Sequence, residues 1–288
     1  MTAGTAPERP AMAFCRPDGS GGNPALVQLG GDEEAARALA IGYGAEVTWL
    51  QPDARAGWRA RFFLPEAEIS LCLHGLLAGA VRLWRDGRAP YRELIIATAA
   101  GPQTVNPIPA DHRPPGAAIR LAGNHHRPVD GAAALRPDIA SATGLDDLGT
   151  FPPALAGAAR PKLVLRLADP ALIDRAVPDP AAVARLAGRT GATGLYLYAP
   201  DPRAPISPTA DGDLRIRARH FPAGLGIAED PATGGAAAAP LLDLEHHGAG
   251  RIDAAVIDQG PGTGTTRLGI RRIDPAGSIW LVSGRVTF

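Results

Sequence analysis

An internal repeat constrains the fold of this chain more than any other feature of its sequence. At a spacing of 158 positions the chain matches itself at several residues, namely Arg59 with Arg217, Arg61 with Arg219, Phe63 with Phe221, Ile69 with Ile227 and Ala78 with Ala236. In the same register Cys72 falls on Asp230, and a second pair of similar blocks lies upstream at Leu39 and Leu186. Chance similarity in a chain rich in alanine, glycine and arginine is the alternative. Because both blocks occur in the same order, two homologous halves are favoured.

The hydrophobic pattern predicts many short strands. Runs of β-branched and aromatic residues, and runs in which apolar and polar residues alternate, are typical of half-buried strands. Such runs occur at 47–50, 59–64, 94–98, 118–121, 162–167, 195–198, 214–220, 254–257, 267–271 and 279–286.

Each half also contains one predicted central helix. Apolar residues at helical spacing predict a helix over 74–85. An alanine-rich segment predicts a second over 233–246, in which Pro240 marks a kink or a late start. Together these elements predict an α+β protein with two related domains, residues 1–128 and 129–288, and the C-terminal strand is a candidate to cross back into the first half.

Charge and cysteine content exclude several classes of protein. The 288 residues carry 29 basic and 29 acidic side chains without a basic stripe, which disfavours a nucleic-acid partner. No apolar stretch reaches the roughly 20 residues of a membrane helix, and the first residues lack the apolar core of a secretory signal. Cys15 and Cys72 are too few for a disulfide framework or a zinc quartet. We therefore expect a cytoplasmic protein that acts on a small molecule and has no membrane partner.

The N-terminal ends of the two predicted helices are candidate anion sites. The first end carries Cys72, Leu73, His74 and Gly75, and the second carries Asp230, Thr233 and Gly234. Free backbone N–H groups and the positive end of a helix dipole favour a substrate carboxylate at such a place. If the halves face each other, both ends converge on one cleft. The alternative is that Asp230 and Thr233 only cap a helix.

Proton transfer needs one group that accepts a proton from carbon and one that returns it. The candidates near the repeated blocks are Glu46, Cys72, His74, Glu229 and Asp230. Glu46 directly precedes an apolar strand, where a partly desolvated carboxylate is a stronger base. The alternatives are an exposed charge at Glu46, a backbone-satisfied helix-start residue at His74 and a small buried residue at Cys72.

Other motifs give little support to other chemistries. His125-His126 and His246-His247 are adjacent pairs for which the sequence offers no carboxylate or third ligand at metal spacing. We expect these histidines on the surface and no metal site. No Gly-x-Ser-x-Gly motif marks a hydrolase nucleophile.

Four segments resemble the PhzF-like isomerases of phenazine biosynthesis, which are relatives of diaminopimelate epimerase and proline racemase. They are Gly22-Asn23-Pro24-Ala25-Leu26-Val27, Ala45-Glu46-Val47, Leu71-Cys72-Leu73-His74 and Glu229-Asp230-Pro231-Ala232-Thr233-Gly234. The last segment, which follows Arg-x-Arg-x-Phe, is the most specific. The resemblance extends from about residue 14 to the C-terminus.

The resemblance implies two pseudo-symmetric, diaminopimelate-epimerase-like domains, each a barrel-like mixed sheet around a central helix. It also implies a homodimer without metal or organic cofactor. In PhzF itself a glutamate moves a proton on a dihydro-hydroxyanthranilate, and Glu46 corresponds to that base. The family's active-site histidine and aspartate correspond to His74 and Asp230. The residues then expected to bind the carboxylate substrate are Asn23, Cys72, Leu73, Gly75, Thr233, Gly234 and Gly235.

The sequence also departs from the family pattern. The usual glycine before the histidine is Leu73, the serine before the glutamate is Ala45, and the serine after Thr-Gly is Gly235. Epimerase relatives use a cysteine from each half, and here Asp230 takes the place of the second. We therefore expect a cofactor-independent isomerase that moves a proton or double bond on a small cyclic carboxylate in secondary metabolism, with an alkylproline-precursor pathway as one candidate. An amino-acid racemase that uses Cys72 and a non-catalytic binding protein of the same fold are the alternatives.

Overall fold

The computed structural model describes residues 9–110, 114–158, 160–201, 214–224, 226–262 and 265–288. The chain forms two compact units. Unit 1 is Met1–Arg120 together with Ser283–Phe288, and unit 2 is Leu121–Val282. The last residues of the chain therefore belong to unit 1, although they follow unit 2 in sequence.

The described residues form strands and helices in a mixed order. The strands are β1 (Ala11–Cys15), β2 (Asn23–Leu29), β3 (Val47–Asp53), β4 (Gly57–Phe63), β5 (Glu68–Ile69), β6 (Leu94–Thr98), β7 (Gly101–Ile108), β8 (Gly116–Ala122), β9 (His125–Pro128), β10 (Ala154–Gly157), β11 (Lys162–Arg166), β12 (Gly194–Pro200), β13 (Leu214–Pro222), β14 (Ala254–Gln259), β15 (Thr266–Arg272) and β16 (Ile279–Thr287). The α-helices are α1 (Glu33–Tyr43), α2 (Leu73–Arg85), α3 (Arg136–Thr143), α4 (Pro170–Arg175), α5 (Pro180–Thr190) and α6 (Ala239–Leu244). None of the helices in the described part of the chain combines the length and apolarity that crossing a membrane requires.

Unit 1 is a closed barrel around a central helix. Its strands are hydrogen-bonded in the order β1–β2–β3–β4–β6–β7–β8–β16, and β16 pairs again with β1. Helix α2 packs against β1, β2, β3 and β7. The barrel therefore surrounds the helix whose first turn carries Cys72 and His74.

Unit 2 is a mixed sheet with helices of its own. Its strands follow the order β9–β10–β11–β12–β13–β14–β15–β16. Helix α6 packs against β9, β10 and β11, whereas α4 and α5 pack against β12 and β13. Apolar residues of β11 and β12 form a core with Ile139, Val183 and Leu186.

The two units repeat one connection pattern. In unit 1, β2 is parallel to β3, β3 is antiparallel to β4, and β4 is parallel to β6 after the intervening α2. In unit 2, β11, β12, β13 and β14 have the same relations, with α6 between the last two. The repeated Arg-x-Arg-x-Phe block lies on β4 in one unit and on β13 in the other. The predicted α+β fold with two pseudo-symmetric halves is confirmed.

The second central helix differs from the sequence prediction. Instead of one helix over 233–246, the chain forms a 3₁₀ turn at Gly234–Ala236, the short helix α6 and a wider turn at Glu245–Ala249. Pro240 lies in the first turn of α6, where the missing N–H of proline has no cost. The continuous helix was wrong, and the late start at Pro240 is confirmed.

Helix α2 approaches β3 closely because two glycines face that strand. Ten of its thirteen residues are buried, as a helix inside a barrel requires. Gly75 and Gly79 lie one turn apart on the same face of the helix. A Cβ atom added to Gly79 would lie 2.6 Å from Cδ1 of Leu50, a fully buried side chain of β3.

We predict that Gly79→Ala lowers the free energy of unfolding by about 1 to 3 kcal/mol, because the added methyl group overpacks the contact with Leu50. Urea denaturation measures the change. The control is Gly188→Ala in α5, where an added Cβ meets nothing within 4 Å. That control should raise stability by roughly 0.5 to 1 kcal/mol. Equal effects of the two substitutions would contradict the proposed close packing.

Candidate active site

Glu46 points toward α2 because side chains alternate between the two faces of the strand that follows it. Residues 46, 48 and 50 share one face of the extended chain, and Leu50 on that face meets α2. A Cβ atom added to Gly75 would lie 1.9 Å from Oγ1 of Thr48 and 3.0 Å from Oε1 of Glu46. Only a glycine at position 75 therefore lets these polar atoms lie against the first turn of the helix.

Cys72, His74 and Glu46 form a Cys-His-Glu cluster at the start of α2. Sγ of Cys72, the N-cap residue, accepts a hydrogen bond from the backbone N–H of Gly75 at 3.4 Å. Sγ lies 3.0 Å from Nδ1 of His74, and Nε2 of the same ring lies 3.8 Å from Oε1 of Glu46. The side chains of His74 and Glu46 are only 16% and 11% exposed. A thiol, an imidazole and a carboxylate in contact can each give or accept a proton.

Two predicted binding residues of unit 1 lie in different elements, Asn23 in the barrel wall and Leu73 in the central helix. Asn23 is the buried first residue of β2, which runs parallel to β3 with Leu26 opposite Val47. Asn23 and Glu46 therefore lie at the same edge of the barrel. Leu73 is buried at 7% exposure, so its side chain packs inside the unit.

In unit 2 a hydrogen-bond network fixes the acidic turn, which we define as residues 230–233. Oγ1 of Thr233 donates to Oδ2 of Asp230 at 2.7 Å, and Oδ1 of Asp230 accepts from the backbone N–H of Ala232 at 3.2 Å. Nε2 of Gln259 donates to the backbone oxygen of Asp230 at 2.8 Å. The phenol of buried Tyr196 donates to Oε1 of Gln259 at 3.0 Å and so orients the amide.

His220 supports the acidic turn from the interior. Its side chain is 3% exposed, and its Nδ1 lies 2.8 Å from Oγ1 of Thr233. Because the Thr233 hydroxyl donates to Asp230, Nδ1 carries the hydrogen of this second bond. Burial lowers the pKa of His220 below its ordinary value of 6.5, against the opposing effect of Asp230. The ring is therefore a neutral donor at neutral pH.

Glu229 and Lys162 have different surroundings from those of Asp230. Both carboxylate oxygens of Glu229 bind Arg219, at 2.9 and 2.6 Å, so this predicted proton-transfer candidate is committed to an ion pair.

Lys162 is 7% exposed. Its pKa is lowered to about 8, mainly by burial and then by the charge of Arg160, while Asp230 acts in the opposite direction. An amine that can change charge near neutral pH therefore lies within electrostatic range of the acidic turn.

The supporting residues that the sequence analysis missed include Thr48, Tyr196, His220 and Lys162. One signal could have found His220. In the register of the internal repeat, His220 stands where the first half has buried Phe62. A histidine that replaces a core phenylalanine in a repeated block indicates a polar function in one half only.

A family model described as a phenazine biosynthesis-like protein, PhzC-PhzF, matches residues 13–266 of the chain. The chain belongs to this family. A curated Deinococcus radiodurans protein named an uncharacterized isomerase is 28% identical over an alignment of 273 positions, which covers 88% of this chain and 82% of that protein. The predicted PhzF-like family and the predicted isomerase class are confirmed.

Solved structures of similar fold include PhzF-family and racemase-type proteins. A Bacillus anthracis protein of the PhzF family has a TM-score of 0.79 at 19% identity, over 97% of this chain and 95% of that chain. A probable proline racemase from Agrobacterium radiobacter K84 has a TM-score of 0.62 at 14% identity, over 97% and 89% of the two chains. At these identities the likeness shows the fold, and it confirms the predicted barrel-like architecture.

The three departures from the PhzF pattern lie in different surroundings. Ala45 is exposed, Leu73 is buried, and a Cβ atom added to Gly235 would meet nothing within 4 Å. A serine at position 235 would therefore fit without rearrangement. Glycine in place of serine here removes a hydroxyl group and leaves the packing unchanged.

One histidine interpretation was wrong. His126 is not a surface residue without a carboxylate: its side chain is 11% exposed, and its Nε2 lies 2.9 Å from Oδ1 of Asp243. Its ring stacks on His246 at 4.1 Å. Asp243 also accepts a hydrogen bond of 2.6 Å from the Tyr198 phenol. Because α6 and β9 are far apart in sequence, the spacing of these residues could not reveal the contact.

We predict that His220 makes the protein less stable in acid. A pKa below 6.5 in the folded state means that the unfolded chain binds the extra proton more readily, so the stability present above pH 6.5 falls as the pH is lowered. His220→Asn keeps an N–H donor for Thr233 but does not titrate. Denaturant unfolding at several pH values between about 7.5 and 5 should show a smaller loss for the variant. Identical pH dependence in the two proteins would contradict the assignment.

Proposed function

We propose that this protein is a cofactor-independent isomerase that moves a proton, and with it a double bond, on a small cyclic carboxylate in secondary metabolism. One observation carries the proposal. The side chain of Glu46 is only 11% exposed and lies beside His74 at the N-terminal, positive end of the buried helix α2. The PhzF-family match supports the reaction class.

Glu46 is the proposed base. Its carboxylate takes a proton from a saturated carbon next to a conjugated double bond, and the electron pair of that C–H bond moves the double bond along the ring. The distant carbon then receives a proton, either the same one from Glu46 or another from His74. No electrons are gained or lost, so the reaction needs no redox partner.

The first turn of α2 is the proposed stabiliser of developing charge. Backbone N–H groups in the first turn of a helix lack partners within the helix, and the helix dipole is positive there. Negative charge that spreads from carbon onto the substrate carboxylate is stabilised by such fixed donors. Leu73 and Gly75 belong to this turn, and Asn23 lies at the same edge of the barrel as Glu46.

The acidic turn of unit 2 is a second proposed contact for a carboxylate. Its hydrogen-bond network holds the carboxylate of Asp230 in one orientation, which suits a group that exchanges a proton at a fixed position. The adjoining 3₁₀ turn starts at Gly234, and its first N–H groups, with Thr233 and Gly235, suit a carboxylate ligand.

We predict that Glu46→Gln lowers turnover by about 10²- to 10⁴-fold, the usual contribution of general acid–base catalysis, while substrate still binds. The assay follows the double-bond shift by NMR in a panel of unsaturated cyclic carboxylates of the dihydroanthranilate and dehydroproline types. Glu66→Gln, at an exposed position, is the control and should retain wild-type turnover. Wild-type turnover in Glu46→Gln would remove Glu46 from the mechanism.

A racemase is the second candidate, favoured by the contact between Cys72 and His74. A thiolate beside an imidazole can take a proton from the α-carbon of an amino acid. In deuterated water this reaction places deuterium at the α-carbon and removes optical activity, without moving a double bond. Cys72→Ser should then abolish the exchange, whereas an isomerase that depends on Glu46 survives this substitution.

A non-catalytic binding protein of the same fold is the third candidate, favoured by the departures at Ala45, Leu73 and Gly235. It predicts saturable binding of a cyclic carboxylate with neither a double-bond shift nor deuterium uptake. The same NMR experiment therefore separates all three candidates.

We predict that Gly235→Ser strengthens substrate binding if this position faces the carboxylate. One added hydrogen bond contributes about 1 kcal/mol, roughly a fivefold lower KM. Gly235→Ala, which adds a Cβ without a hydroxyl, is the control and should leave KM unchanged. Equal KM values in both variants and the wild type would exclude position 235 from the binding site.

The active form is proposed to be a homodimer, as the family resemblance implies. Light scattering after size-exclusion chromatography tests this directly. A monomeric mass at assay concentration would contradict it.

A further inference from the structure

The Cys-His-Glu cluster joins three side chains that are all ligands of transition metals. One donor atom from each of Cys72, His74 and Glu46 lies within 4.8 Å of the other two, the one such group in the described part of the chain. Thiolate, imidazole and carboxylate together suit Zn²⁺, whereas Mg²⁺ and Ca²⁺ prefer oxygen alone.

The separations of the donor atoms are close to those of a tetrahedral zinc site. Zinc bonds of about 2.3 Å to sulfur and about 2.0 to 2.2 Å to nitrogen and oxygen place tetrahedral ligands roughly 3.3 to 3.6 Å apart. Nε2 of His74 lies 3.7 Å from Sγ of Cys72 and 3.8 Å from Oε1 of Glu46. A single ring nitrogen therefore lies within 4 Å of both other donors, and rotation of the imidazole ring would bring all three onto one ion.

A buried hydroxyl next to the cluster supports the assignment. Oγ1 of Thr48 is buried and has no hydrogen-bond partner among the described residues. It lies against the same glycine as Oε1 of Glu46. Metal-bound carboxylates and waters are usually held by such outer donors, so a metal at the cluster would give this orphaned hydroxyl a partner.

We propose that the cluster binds Zn²⁺ through Sγ of Cys72, Nε2 of His74 and a carboxylate oxygen of Glu46. Binding releases the thiol proton to solvent and leaves a fourth position open for water or an anion. Since the proposed function uses the lone pair of Glu46 as the base, bound zinc is a reversible inhibitor and not a cofactor.

Metal binding is tested on full-length protein without a histidine tag, with CoCl2 as a spectroscopic probe and ZnCl2 in calorimetry. Wild-type protein should bind one equivalent of Co²⁺ with a thiolate-to-metal charge-transfer band, which Zn²⁺ displaces. Cys72→Ser should lose the band and weaken Zn²⁺ binding by at least 10- to 100-fold. Removal of a residue that only hydrogen-bonds to a metal ligand already weakens metal binding by this factor, so removal of the ligand itself should cost no less. Cys15→Ser, which removes the other thiol, should keep both properties.

Two further variants make the assignment specific. Glu46→Gln should keep the charge-transfer band while weakening Zn²⁺ binding, because the sulfur ligand remains. His126→Asn, in the other histidine cluster, should change neither. Absence of the band in wild-type protein, its persistence in Cys72→Ser, or its loss in His126→Asn would overturn the zinc site.

The zinc inference and the proposed function can fail separately. The cobalt band needs no substrate, so its absence beside a Glu46-dependent double-bond shift would reject only the metal site. A normal band with no reaction on any substrate would reject the isomerase instead. If the zinc site and the proposed function are both correct, micromolar Zn²⁺ should inhibit turnover and a chelator should restore it. Equal inhibition of the wild type and Cys72→Ser would show that the inhibitory metal binds at another place.

Discussion

The close contact between α2 and β3 is the interaction on which the unit 1 site depends. Gly75 and Gly79 remove two side chains from one helix face, and Thr48 and Leu50 fill the space that results. Because strand residues alternate, the same geometry brings Glu46 to the end of the helix. Glu46, which directly precedes β3, and the Cys72–His74 pair, at the start of α2, are thus placed by the packing of that helix against that strand.

The two halves share a topology but hold their polar groups in different ways. In unit 1 the position after the repeated block is Cys72, a helix N-cap in contact with an imidazole. In unit 2 the equivalent position is Asp230, which buried His220, Gln259 and Thr233 hold in a fixed orientation. Duplication of one fold therefore supplies two related frameworks, and substitution at a few positions gives each its own chemistry.

Sequence reasoning recovered the elements with the strongest pattern. The apolar strands, helix α2 and the repeat were predictable because burial on a barrel imposes clear periodicity. The continuous helix over 233–246 was not, since alanine-rich composition favours helix while Pro240 and tertiary packing break it. Helices α1, α3, α4 and α5 were missed, although Asp32 before α1, Asp169 before α4 and Asp179 before α5 are clear N-cap signals. The contact of Glu46 with His74 depends on the packing of α2 against β3, and that of Asp230 with His220 on an isolated bridge between these two residues, and the hydrophobic pattern of the sequence predicts neither.

The central proposal is that Glu46 and His74, which lie 3.8 Å apart in unit 1, act together in one proton transfer. A double-mutant cycle measures this most directly, with Glu46→Gln, His74→Asn and both together, and the rate of the double-bond shift as the readout. If both groups serve one reaction, the double variant should lose little more than the worse single variant, because groups that act as a unit are strongly non-additive. Independent, multiplying losses, or a wild-type rate in Glu46→Gln, would contradict the account.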